Sequence, residues 1–152
     1  MSKQNARLGR AAFVCFAAAV CLLGPCGCGD GRPKRVPVCG QVLIDGEPLK
    51  FGHVRFIPEG ARASGGRVGP DGRFTLTCFD GEDGAVLGHH RVEVSAGEPI
   101  AGGGIRWHAP PKYNRYETSG LEFNINGSTD SLTIKLTWDG GAPFVVEGEE
   151  EF

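Results

Sequence analysis

From Val38 to Trp138 apolar residues recur at every second position, and Gly, Pro and Asp interrupt them at short intervals. This is the pattern of half-buried strands joined by tight turns. Val38, Gly40, Val42 and Ile44 fall on one face of a first strand, with Cys39, Gln41 and Leu43 on the other. Asp45-Gly46 supplies the positive φ angles of a two-residue hairpin turn, and Val54, Phe56 and Ile57 continue in a second strand that Pro58 ends. The small, polar segment Gly60 to Gly66 reads as a loop. Arg67 and Val68 lead into the turn Gly69-Pro70-Asp71-Gly72, after which Phe74, Leu76 and Cys78 alternate with Arg73, Thr75 and Thr77. Beyond the acidic loop Asp80 to Gly84, Val92 and Val94 alternate with Arg91, Glu93 and Ser95. Gly97 to Gly120 is the longest irregular stretch, because Gly102 to Gly104 and Pro110-Pro111 exclude a regular element over much of it. Leu121, Phe123 and Ile125, then Leu132, Ile134, Leu136 and Trp138, form two closing strands around Asn126-Gly127. No stretch has a helical period. The pattern predicts an all-β domain, a single antiparallel β-sandwich of about seven strands, with a partly closed barrel as the alternative.

The N-terminal residues follow a different pattern. Ala11 to Leu23 is apolar all round, follows Lys3, Arg7 and Arg10, and precedes the first acidic residue, Asp30. That is the build of an export signal. A membrane-spanning helix needs about 20 apolar residues, and this run is shorter and ends at Gly24-Pro25. A buried core helix would show an amphipathic stripe. The segment Leu22 to Cys28 resembles a bacterial lipoprotein signal, in which Leu and two small residues precede a cysteine that is acylated. Cys28 has Gly27 before it but Pro25 where Leu is usual; Cys26 has Leu23 and Gly24 well placed but Pro25 directly before the bond to be cut. Cys28 is the preferred acylation site and Cys26 the alternative. The resemblance implies an exported protein held at a membrane by its N-terminal lipid, periplasmic or on the cell surface, since several acyl chains anchor stably where one does not.

Residues 1–27 are then signal, 28–36 a Pro- and Gly-containing tether, 37–146 the domain and 147–152 a short acidic tail. Three basic residues leave with the signal, so sixteen basic against eighteen acidic residues become thirteen against eighteen, a net of minus five. Nucleic acid is not an expected partner of such a chain. The family resemblance rests on Val38-Cys39-Gly40-Gln41-Val42, Asp45-Gly46-Glu47-Pro48-Leu49 and Val54 to Gly60, then Asp71-Gly72-Arg73-Phe74-Thr75-Leu76, then Gly88 with Arg91-Val92-Glu93-Val94. These resemble the carboxypeptidase regulatory-like, transthyretin-like domain. Pro110 to Asn114 and Thr118 to Leu121 are similar to a group of small bacterial lipoproteins that carry it. The resemblance implies an immunoglobulin-like Greek-key sandwich and is almost silent about chemistry, since the matching residues are turn and core positions.

Candidate chemistry is sparse. Cys78 shares parity with Phe74 and Leu76 and should point inward, whereas Cys39 lies opposite Val38 and Val42, which argues against a disulfide between them unless a bulge reverses one strand. His53, His89, His90 and His108 show no metal-ligand spacing and read as surface histidines near loops, so no metal or other cofactor is expected. The carboxylates Asp45, Asp71, Asp80 and Asp83 belong to turns, and Glu93 and Glu122 to outward strand positions, so no catalytic pair is expected either. The aromatic-rich loop Gly97 to Gly120, with Trp107, His108, Tyr113 and Tyr116, is the candidate surface for an envelope protein or a carbohydrate. The competing reading has Trp107 or Tyr113 folding back over an open end of the sandwich. A non-catalytic binding protein is expected, with a spacer lipoprotein and a small transthyretin-like hydrolase as alternatives.

Overall fold

The structure, a computed structural model, describes residues 31–148. The chain divides into two units, residues 1–32 and 33–152, and the second is the one described below. The signal region with Cys26 and Cys28, and the end of the acidic tail, lie outside the described residues. Among the described residues no helix is long and apolar enough to cross a membrane.

The strands in chain order are β1 (Arg35–Val36), β2 (Val38–Ile44), β3 (Glu47–Pro48), β4 (Gly52–Pro58), β5 (Ser64–Val68), β6 (Arg73–Thr75), β7 (Ala85–Val86) and β8 (Gly88–Ser95). They continue with β9 (Gly97–Pro99), β10 (Ile105–Trp107), β11 (Leu121–Ile125), β12 (Thr129–Leu136) and β13 (Phe144–Val146). The fold is an all-β sandwich. One sheet places β12 on one side of β2, with β3 and β6 sharing the other side; the second runs β11-β8-β4-β5. Pairing is antiparallel apart from β12, which lies parallel to β2. The core forms where the alternating faces meet: Val38, Val42, Phe74, Ile134 and Leu136 from the first sheet, and Val54, Phe56, Val68, Val92, Val94 and Ile125 from the second. Phe56 is fully buried and stacks 5.8 to 6.2 Å from the rings of Phe123, His90 and Phe74. Burial of a side chain of this size contributes about 1.5–3 kcal/mol.

Several elements differ from the sequence expectation. The Asp45-Gly46 turn forms, with φ of 49° and 89°, but it returns the chain only into the two-residue β3. The chain then crosses at Lys50-Phe51 to the opposite sheet, so β2 and β4 are not hairpin partners. Likewise β11 and β12 flank Asn126-Gly127 but belong to different sheets. The expected loop at Gly60 to Gly66 is half strand, since Ser64, Gly65 and Gly66 belong to β5. Its small residues reflect crowding: a Cβ on Gly66 would collide with the Thr75 carbonyl, where Gly65 and Thr77 exchange backbone hydrogen bonds of 2.8 and 2.9 Å. That bridge closes the sandwich along one side.

The end of the expected tether is ordered. Arg35 and Val36 pair with Val86 and Ala85, and the Arg35 guanidinium lies 2.9 Å from the Asp83 carboxylate and over the Phe79 ring. Asp83 also accepts the backbone N–H groups of Cys78 and Phe79 at 2.6 and 3.1 Å. Partial burial pushes its carboxyl up, but these N–H donors and Arg35 outweigh it and hold the group below its ordinary value.

Candidate functional site

The stretch Gly97 to Gly120 is more regular than the sequence indicates. Gly102 and Gly103, at φ of 84° and 78°, turn β9 back onto β10, and β13 adds to the other side of β10. The result is a three-stranded sheet in the order β13-β10-β9. Directly paired residues share a face of an antiparallel sheet. One face therefore carries the rows Gly97, Trp107, Phe144 and Pro99, Ile105, Val146, and the other carries Glu98, Arg106 and Val145.

The two faces differ in chemistry. On the first, a Cβ at Gly97 would lie 3.2 Å from the Trp107 indole, so the glycine lets that ring lie close over β9. Phe144 meets Trp138 edge-on at 6.2 Å. Ile105, Phe144 and Val146 remain 38, 42 and 49% exposed, leaving an apolar face open to solvent. On the second, Glu98 contacts Arg106 at 3.4 Å and His108 Nε2 at 2.9 Å. The His108 hydrogen bond leads the causes that hold the Glu98 carboxyl below its usual range. His108 also packs its ring 5.4 Å from Phe51.

The four aromatic and histidine positions expected to form one recognition loop take different roles. Trp107 and His108 lie half-buried at the small sheet. Tyr113 follows the competing reading, in which it folds back over an end of the sandwich, and not the recognition-loop one: it sits in a short 3-10 turn (Pro111–Asn114), is 5% exposed, and its hydroxyl accepts the Thr137 N–H at 3.2 Å. It closes an end of the sandwich and offers no free ring. Tyr116 opens the one-turn helix α1 (Tyr116–Ser119), with the Arg91 guanidinium 4.2 Å from its ring. Ser119, buried at the end of α1, donates to the Val92 carbonyl at 2.6 Å and accepts from Leu121 N–H at 3.1 Å, tying the segment to β8.

The histidines also occupy separate settings. His90 is corrected from a surface to a core position: it is fully buried, with Nε2 2.9 Å from the Val86 carbonyl. Burial pushes its pKa down, against the opposing effect of the Val86 and Phe56 backbone. His89, its neighbour, points outward to Glu122 at 3.4 Å, and His53 is exposed on β4 opposite Arg67. Among the described residues no three His, Cys, Asp or Glu side chains group so as to hold a metal ion. Cys39 and Cys78 are both free, Cys78 buried and Cys39 half-buried against the Thr75 hydroxyl at 3.4 Å, as the parity of their strands indicates. Sequence reasoning missed Phe144 and Val146, whose short apolar run after Gly140-Gly141 is the only signal for β13.

The sequence matches no protein-family model, and the comparison with curated proteins finds no match. Among solved structures the chain is similar to a DUF3823 family protein from Parabacteroides merdae ATCC 43184, at 17% identity and a TM-score of 0.40. The similarity covers 70% of this chain and 47% of that one, so the chain spans about half the length of its structural neighbour. The fold assignment rests on the strand pairing described above.

Proposed function

We propose that this chain is an exported, lipid-anchored, non-catalytic β-sandwich protein of the cell envelope, of the carboxypeptidase regulatory-like type, that binds a protein or carbohydrate partner. The observation that carries the binding reading is the open apolar face of the β13-β10-β9 sheet, with Trp107, Ile105, Phe144 and Val146 in adjacent rows. Exposed contiguous apolar surface on a small domain marks an interaction site. Trp107 and Phe144 are its aromatic anchors. The lipid anchor rests on the signal-like segment ending at Cys28, with Cys26 as the alternative, and mass spectrometry of the mature N-terminus tests it: an acylated Cys28 is expected, and an unmodified N-terminus overturns it.

The binding test uses the full chain with Cys26→Ser and Cys28→Ser, so that acyl chains cannot retain it. That chain is expected to stay on washed envelope material and to be released by Trp107→Ala with Phe144→Ser. Unchanged retention of the double variant sinks the reading. A spacer role without a specific ligand is the alternative, and the Arg35–Asp83 clip that holds the start of the domain favours it. It predicts that deleting residues 28–34 alters the phenotype more than changing Trp107. A transthyretin-like hydrolase comes last, because that chemistry needs histidines converging in one channel and these four occupy separate settings.

A further inference from the structure

A second concave feature lies away from the small sheet. It is a cleft of about 790 Å³ beside β2 and β6, walled by the Gly69-Pro70 turn and by Lys50 and Phe51 at the crossover between sheets. Lys50, Arg67 and Arg73 line it. In a chain whose mature part carries excess negative charge, most cations have a partner. Arg35, Arg55, Arg106, Lys112 and Arg115 meet carboxylates, and Arg62 and Arg91 lie over rings. Among the described residues Lys50, Arg67 and Arg73 have neither kind of partner and face the same cleft, while Lys34 and Lys135, also without one, lie exposed outside it. Asp130 is the single carboxylate in its lining. Cations gathered in a concave site focus a positive field there, and a guanidinium's fork fits carboxylate or phosphate in a two-point hydrogen bond.

The rest of the lining narrows the ligand. Phe51 presents a half-buried ring, and Thr75 adds a hydroxyl beside the Cys39 thiol. Beneath the cleft β2 is already paired on both sides, by β12 and by β3 and β6, so no free strand edge is offered there for an extended peptide to join. Recognition therefore falls to side chains: cations for an acidic group, a ring for an apolar ring face and a hydroxyl for a further polar contact. The volume suits a small ligand or a few linked rings. We infer that this cleft binds an acidic saccharide, a sugar unit bearing a carboxylate or phosphate, with Lys50, Arg67 and Arg73 on the anion and Phe51 against the ring. The inference does not depend on the apolar sheet face.

Calorimetric titration of the full-length chain in mild detergent tests it, using oligogalacturonate, neutral maltohexaose and polyglutamate as probes. Oligogalacturonate is expected to bind, maltohexaose and polyglutamate to bind at least about tenfold more weakly, and Lys50→Glu and Arg67→Glu each to weaken oligogalacturonate about tenfold or more. Both positions are exposed, so unchanged thermal melting is expected of both variants. Trp107→Ala with Phe144→Ser is expected to leave this binding unchanged, which separates it from the sheet-face reading. Absence of oligogalacturonate binding, equal binding of maltohexaose, or wild-type affinity in both charge variants overturns the proposal. Polyglutamate binding as tight as oligogalacturonate also overturns it, in favour of an acidic peptide.

Discussion

Two sheets of this protein draw on the same kinds of residue and reach opposite states. In β4 and β8 the apolar rows Val54, Phe56, Val92 and Val94 lie at 1% exposure or less, because a second sheet covers them. In β10 and β13 Ile105, Phe144 and Val146 keep 38 to 49% of their surface open to solvent, in a sheet whose three strands pair only with one another. Apolar content is therefore not what separates core from surface here. What separates them is whether the topology brings a second layer.

The largest expected difference between the two regions is energetic. Phe56→Ala, which empties a site shared by Phe74, His90 and Phe123, is expected to cost about 3–5 kcal/mol in urea unfolding. Phe144→Ala is expected to cost less than about 1 kcal/mol, and equal losses would break the comparison. Asp83→Ala probes the edge of the sandwich, where the carboxylate holds two backbone N–H groups and Arg35, and is expected to cost about 1–3 kcal/mol. Because the folded carboxyl is held below 3.8, its contribution is present above that pH and is lost as pH falls through the folded value.

His90 sharpens the contrast by pH. Its folded pKa is depressed below 6.5, so between the two values the unfolded chain binds more protons. Stability is full above pH 6.5 and falls on acidification, by up to about 1.4 kcal/mol per pH unit, and His90→Gln should flatten that slope in urea midpoints measured from pH 7.5 to 5. The smallest effect concerns local opening. Amide exchange in β10 should run faster than in β4 and slow down when a partner covers the small sheet; equal protection in both strands would mean the small sheet is part of the core.

Much of the sandwich was legible from short-range pattern. Val38 and Val42 point inward as their alternation requires, and Asp45-Gly46 and Gly69 to Gly72 turn where their chemistry demands. His90 was also legible, since it shares parity with Val92 and Val94, but residue type outweighed position in the reading. Ser64-Gly65-Gly66 was not, because its small residues answer to the backbone at Thr75 and Thr77, nine to twelve residues further on. The parallel pairing of β12 with β2 joins positions about ninety residues apart, and no local signal encodes it. At the candidate site the sequence offered two places for Tyr113, in a recognition loop or folded back over an end of the sandwich, and its burial, like the addition of β13, depends on which segments meet. The unpaired cations of the cleft were visible as residues but not as neighbours.

The clip at Arg35 has a mechanical consequence. A pull delivered to the domain through Pro33 reaches β1 first, where the load falls on the pairing with β7 and on Arg35, held by Asp83 and the Phe79 ring, ahead of the seven-residue β2. Yielding there frees residues 33–36, up to the Pro37 carbonyl that accepts the Thr129 N–H at 3.1 Å, and lengthens the chain's reach by at most about 3.4 Å per residue while the core stays closed. The domain thus begins with a weak link in series with a strong one, and tension along the chain is relieved by a short extension before it can unfold the sandwich.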